Sequence, residues 1–277
     1  MRDHFSSDSP LVLVGCGHMG RALAEGWLEA GLKPEALVIV DPAASVGVLK
    51  AVPAENFIAA PADLSNDLIA RAVVLAVKPQ IMASVFADIK PVAQIGTLVV
   101  SIAGGITLAT IADGLGDEPD YVRAMPNTPA AVGAGITGLV ARAGISDGNR
   151  ALACDLFAAV GSAVWVPGEN HMNTVTAVSG SGPAYVFHLI EVMAAAGVAE
   201  GLPADMAMQL AKATVAGAGE LAEQSDEDPS QLRINVTSPG GTTAAALAVL
   251  MDAQTGFPKV VGAGVKAAAE RSKELGK

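Results

Sequence analysis

The run LVLVGCGHMG at residues 11–20 constrains this chain more than any other stretch. It sets Gly15, Gly17 and Gly20 in G-x-G-x-x-G spacing, directly after an apolar run and directly before the helical pattern RALAEGWLEAG. In that order, the first glycine makes a tight turn, the second admits a pyrophosphate to the backbone, and the third lets the helix pack on the strand. His18 and Met19 open the helix, where unpaired amides carry positive partial charge and attract phosphate. Gly15, Gly17, His18, Met19 and Gly20 are therefore candidate dinucleotide-binding residues. Asp41, at the end of the next apolar run ALVIVD, joins them, because a carboxylate there accepts hydrogen bonds from a ribose 2′-hydroxyl and repels a 2′-phosphate. The cofactor expected is NAD(P)H, with Asp41 favouring NADH; Ser45 and Lys50 are the residues placed to reach a 2′-phosphate instead.

The rest of the first half repeats the pattern. Short apolar runs (AVVLAVKP, TLVVSIAGG, GITGLVA, SAVWVP) alternate with helical segments as far as Pro167. Continuous apolar strands separated by helices predict a parallel sheet covered on both faces, a Rossmann-type α/β domain. Beyond Pro167 the strand-like runs stop, and helices are predicted at Ala184–Ala196, Ala204–Glu223, Thr242–Gln254 and Pro258–Glu274. Pro203 and Pro258 suit helix starts, and Gly197 and Gly256 suit helix ends. The sequence thus divides into a dinucleotide-binding domain at 1–167 and an all-α domain at 168–277, with Asp226, Glu227 and Asp228 in a solvated turn. Gly217 and Gly219 inside a helix each cost about 1 kcal/mol relative to alanine, which points to close approach by a neighbouring helix from a second subunit.

Composition narrows the function classes. A net charge of −11 without a basic stripe argues against nucleic acid, whose phosphates need clustered Lys and Arg. The uncharged stretch Pro91 to Ala112 has the length of a membrane span but carries Pro91, Gln94, Gly96, Ser101, Gly104 and Gly105, so it reads as strand, glycine turn and helix start. The first ten residues hold Asp3 and Asp8 and no apolar core, unlike a secretory signal, so a cytoplasmic location is expected. Cys16 and Cys154 lack the spacing of a disulfide framework or zinc site, and no metal site is expected.

Five further blocks carry a resemblance: LAVKPQ (75–80), SIAGGIT (101–107), RAMPNTPAAVGAG (123–135), AVSGSGPAY (177–185) and SPGGTTAAAL (238–247). In order and spacing they resemble the pyrroline-5-carboxylate reductase family across nearly the whole chain. The resemblance implies a Rossmann domain, a helical domain that interlocks with a partner subunit in a dimer or larger homo-oligomer, and reduction of 1-pyrroline-5-carboxylate to L-proline. It also implies that Val77, Lys78 and Pro79 line the nicotinamide side, and that Ser238 and Thr243 touch the substrate, with Thr243 near the imine nitrogen. The chain departs from the family at Asn173, where Asp is usual, and at Asp63, where an Asn that touches adenosine is common.

The residues themselves support that chemistry. Reducing a cyclic imine requires a carboxylate anchor and an aligned hydride donor, whose positioning lowers a barrier by roughly 7 to 11 kcal/mol. Gly240, Gly241 and Thr242 open a helix whose free amides suit a carboxylate, with the hydroxyls of Ser238 and Thr243 in reach. Asn127 in MPNTP is a candidate hydrogen-bond partner for the nicotinamide carboxamide. Lys78 reads more readily as a solvated or phosphate-facing charge than as a general acid, and His188 as a core or interface histidine. Three rivals stand beside this reading: a related cyclic-imine reductase, a non-catalytic dinucleotide-binding scaffold, and a β-hydroxyacid dehydrogenase. The dehydrogenase would need a Lys and an Asn that AYVFHLIEVMAAAG lacks.

Overall fold

The computed structural model describes residues 1, 4–43 and 49–276, which fall into two compact units. Ser45 lies outside the described residues. The first unit comprises Met1–Gly180 together with Ala269–Lys277, and the second Ser181–Ala268.

The first unit is built on an eight-stranded sheet in the order β3-β2-β1-β4-β5-β6-β7-β8. In chain order its elements are β1 (Leu11–Val14), α1 (His18–Glu29), β2 (Leu37–Val40), β3 (Phe57–Ile58), β4 (Ala72–Leu75), α2 (Met82–Ile89), β5 (Leu98–Ser101) and α3 (Leu108–Leu115). There follow β6 (Asp120–Met125), β7 (Gly135–Ala141), α4 (Asp147–Ala158), β8 (Gly161–Trp165) and α5 (Met172–Val175). Every residue of β1, β4 and β5 is buried because helices cover both faces. Alternation divides the side chains: Leu11 and Leu13 enter one layer with Trp27 and Phe157, while Val12 and Val14 enter the other with Phe86 and Ile89. Trp27 is fully buried and donates its indole N–H to the Leu156 carbonyl at 2.7 Å, tying α1 to α4.

Two features depart from the sequence reading. The sheet is parallel from β3 to β6, but β7 runs antiparallel to β6 before β8 rejoins it in parallel. β6 itself, DYVRAM, escaped the apolar-run criterion because Arg123 sits at its centre. Only 11% of that side chain is exposed, and its guanidinium meets the Glu169 carboxylate at 2.7 Å. Glu169 also accepts the amide of Leu108 at 2.8 Å, which caps the start of α3. Glu169, Met172 and Ala177 therefore hold the segment after β8 onto the sheet. The packing divides the chain at Gly180, later than the change of pattern at Pro167, because this segment is helical in sequence but sheet-bound in space.

The second unit contains α6 (Gly182–Ala199), α7 (Ala204–Gln224), α8 (Pro229–Asn235), α9 (Thr242–Leu250) and most of α10 (Phe257–Leu275). Pro203 precedes α7 and Pro258 lies in the first turn of α10, as read from the sequence. Gly197 does not end its helix; it lies inside α6 against Leu202 and Ala207, and the reversal falls to Gly201 at φ +98°. α8 was not anticipated, and the acidic turn before it is exposed. The buried core of this unit is Ala194, Ala207 and Ala211. Phe187, Leu210, Val249 and Val260 are instead 59%, 51%, 68% and 61% exposed. A side chain grown at Gly217 or Gly219 would meet nothing among the described residues. The helical run Glu169–Ala199 has the length and apolar composition of a membrane span, at mean hydropathy 1.3, although it is broken by a π-turn at Thr176–Gly180 and by Pro183.

The Arg123–Glu169 pair makes a stability prediction. Glu169→Ala leaves a nearly buried guanidinium and the first amide of α3 without their acceptor, and is expected to destabilise by about 1 to 3 kcal/mol, read as a lower thermal midpoint. An unchanged midpoint would show that the pair holds nothing.

Candidate active site

Strand order places the site. The chain runs from β1 outward to β2 and β3, then returns to β4 on the other side of β1, so the direction of winding switches between β1 and β4. Crevices at such a switch, at the carboxyl ends of the strands, are where open α/β sheets hold ligands. Gly15 leaves β1 at φ +97° and donates its amide to the Val40 carbonyl at 2.8 Å. A Cβ there would lie 2.7 Å from the Ala76 carbonyl oxygen. Gly20 packs so closely under the turn that a Cβ would collide with the Gly15 oxygen. Gly17 caps α1 in extended conformation, and a Cβ on it would enter open space. The three glycines thus serve the turn, the open cradle and the close packing that their spacing predicted. The cradle fits a pyrophosphate, because the amides opening α1 at His18 and Met19 have no earlier turn to bond.

Asp41 follows β2 and ties two backbone segments. Its carboxylate accepts the Cys16 amide at 2.7 Å through Oδ2 and the Ala43 amide at 2.8 Å through Oδ1, joining the glycine loop to the turn after β2. Burial, then the nearby Asp41 charge, raises the Cys16 thiol above its ordinary pKa, so it remains protonated at neutral pH. Val77, Lys78 and Pro79 follow β4 at the same edge, with Val77 beside Gly15 and Lys78 exposed. Lys50 and Asp63 are exposed, Asp63 in the short turn Pro61–Asp63 after β3.

Asn127 follows β6 at this edge but is 8% exposed. Its Oδ1 accepts the Ile136 amide at 2.9 Å and its Nδ2 donates to the Ser179 carbonyl at 3.1 Å. The sequence reading aimed this amide at a ligand, whereas the fold commits its oxygen and one N–H to the backbone of two other segments.

The remaining candidates lie in the second unit. Gly240, at φ +67°, turns the chain into α9, and Gly241 caps that helix in extended conformation. The Gly241 amide bonds the Ser238 carbonyl at 3.1 Å, and a Cβ at 241 would lie 2.5 Å from Ser238 Oγ. The amides of Thr242 and Thr243 open α9 with no acceptor among the described residues. Ser238 and Thr242 are exposed and Thr243 is half-buried, so one turn presents hydroxyls and amides together, as a carboxylate site requires. The roles of Arg123 and Glu169 could not be read from sequence, beyond the signal of a charge inside an apolar strand. A cavity of about 510 Å³ lined by Arg142, Arg150, Trp165 and Glu169 includes none of the sequence-predicted residues. Among the described residues no cluster of His, Cys, Asp or Glu has the grouping of a metal site.

Similarity to known proteins runs along the whole chain. Residues 169–275 match the family model described as pyrroline-5-carboxylate reductase dimerisation, and residues 10–105 match that described as NADP oxidoreductase coenzyme F420-dependent. Pyrroline-5-carboxylate reductase of Synechocystis is 46% identical over 209 residues, 76% of either chain. That of Pisum sativum is 40% identical over 275 residues, 97% of either. The crystal structure of Plasmodium falciparum pyrroline carboxylate reductase with NADP bound superposes with a TM-score of 0.82 at 33% identity, covering 98% of this chain and 99% of that one.

Two glycine substitutions separate cofactor binding from folding. Gly20→Ala is expected to lower the thermal midpoint and lose dinucleotide binding together. Gly17→Ala, which meets no protein atom, is expected to retain the midpoint while raising the Kd for NAD(P)H about tenfold or more, because its methyl occupies the pyrophosphate's approach. Fluorescence titration and a melting curve check both.

Proposed function

The chain belongs to the pyrroline-5-carboxylate reductase family, and on that premise we propose that it reduces 1-pyrroline-5-carboxylate to L-proline, the last step of proline biosynthesis. The carrying observation is the coexistence of a dinucleotide cradle at the sheet's switch point and a hydroxyl-flanked helix start at residues 238–243. Bound NAD(P)H supplies the hydride. Gly15, Gly17, His18, Met19 and Gly20 hold its pyrophosphate, and Val77, Lys78 and Pro79 border its nicotinamide.

The Gly240–Thr243 turn grips the ring carboxylate through the amides that open α9, and the hydroxyls of Ser238 and Thr243 complete the grip. Thr243, beside the imine nitrogen, orients the protonated C=N for attack at carbon. Asp41 disfavours a 2′-phosphate, which makes NADH the preferred donor, although the relative from Plasmodium falciparum holds NADP. We take residues 168–277 as the substrate-binding and oligomerisation module. A three-alanine core cannot by itself stabilise five helices, and a helix apolar all round calls for burial. A second copy covers those apolar faces, consistent with the matched dimerisation model, so the part of the Glu169–Ala199 run in α6, Gly182–Ala199, is assigned to a subunit interface rather than a bilayer. We place the enzyme in the cytoplasm.

Incubation with pyrroline-5-carboxylate and either reduced cofactor is expected to oxidise the cofactor, NADH faster than NADPH. No oxidation would overturn the assignment, and a clear preference for NADPH would overturn the role given to Asp41. Thr243→Ala is expected to lower kcat/KM about 10- to 100-fold, as for a lost hydrogen bond to a charged group of roughly 1.5 to 3 kcal/mol. Unaltered kinetics would remove Thr243 from the mechanism.

A further inference from the structure

We propose that Asn127 is a positioning residue rather than a cofactor contact, and that it acts by pinning the π-turn at Thr176–Gly180 to the carboxyl end of β6. This inference rests on the reductase reading only for its kinetic consequence.

The orientation of the Asn127 amide is fixed by its partners. A backbone N–H at Ile136 can only donate, and a backbone carbonyl at Ser179 can only accept, so Oδ1 faces the first and Nδ2 the second. The same loop is held again from its own backbone, where the Asn127 carbonyl accepts the Ala130 amide at 3.1 Å. One side chain therefore joins the start of β7, the MPNTP loop and the π-turn, and it does so almost wholly out of water.

The turn needs such a tie. A π-turn is a local excess of one residue that can relax into α-helical register, and it recurs where function demands a particular backbone path. Here the hydroxyls of Thr176 and Ser179 bond back to the Met172 and Val175 carbonyls at 2.8 and 2.9 Å, which competes with regular helix hydrogen bonding. Asn127 supplies an outside donor to the Ser179 carbonyl. Met125 presses on the next residue, since a Cβ on Gly180 would lie 2.8 Å from Met125 Cε. The last residue of β6 and a residue of the loop after it thus grip two successive residues of the turn. Four of the turn's residues, 177–180, lie within AVSGSGPAY and the loop lies within RAMPNTPAAVGAG, two blocks whose resemblance to the reductases is otherwise separate. Asn127 joins them by hydrogen bond and Met125 by packing.

Asn127→Asp tests this because it keeps the acceptor for Ile136 and replaces the donor to Ser179 with an oxygen. The expected result is a kcat lower by about tenfold or more, as for a displaced reacting group, with the Kd for NAD(P)H unchanged. Deuterium uptake should rise across 176–180. Gly180→Ala, which crowds Met125 without touching Asn127, is expected to show the same pattern and serves if Asn127→Asp fails to fold. Tyr121→Phe, which removes the hydroxyl's 2.7 Å hydrogen bond to the Gly116 carbonyl, is the control for mere destabilisation: a lower thermal midpoint without a comparable fall in kcat. A weakened NAD(P)H Kd with kcat retained would make Asn127 a cofactor contact and overturn the proposal, as would unchanged uptake at 176–180. Uptake does not depend on turnover, so it judges the tie even if pyrroline-5-carboxylate proves to be the wrong substrate.

Discussion

The fold of the first unit turns on one close contact, the start of α1 lying directly on the turn that leaves β1. Gly20 can occupy that position only because it has no side chain to strike the Gly15 carbonyl, and Gly15 can make the turn only at positive φ. Once that contact is made, the axis of α1 is set and the amides that open it lie at the carboxyl edge of β1. Trp27, one face further along the same helix, then anchors α1 to α4 through the Leu156 carbonyl. The glycine loop is in this sense a packing device.

The second unit follows a different logic. Its helices carry apolar residues on several sides and bury little of them within one chain, whereas the first unit has two full layers of Leu, Val, Ile and Phe around its sheet. Apolar burial stabilises by about 25 cal/mol per Å², so surface left open at this scale represents stabilisation that association can recover. Small residues at 217 and 219 leave open space beside α7, room for another backbone to approach.

Polar ties locate the segments that link these regions of sequence. Glu169 reaches Arg123 and the first amide of α3, and Asn127 reaches Ser179 and Ile136. Each is a polar side chain bonded to otherwise isolated polar groups, which is how a buried polar group avoids a desolvation cost of roughly 1 to 3 kcal/mol. Asp41 belongs to the same class: its two oxygens tie Cys16 and Ala43, and so shape the glycine loop.

Sequence alone determined what depends on local chemistry. The strand, glycine turn and helix at residues 11–29, the alternation of apolar runs with helices, the proline-marked helix starts and the helix opening at Thr242 all follow from residue type and spacing, because each is settled within a few residues. Tertiary structure decided what depends on partners far along the chain. β6 looked unlike a strand because its central arginine is paired with a carboxylate 46 residues away. β7 reversed direction against β6, the segment after Pro167 stayed with the sheet, and Asn127 turned inward to bridge two backbones. Those outcomes rest on hydrogen bonds and ion pairs between distant residues, whose existence periodicity does not encode.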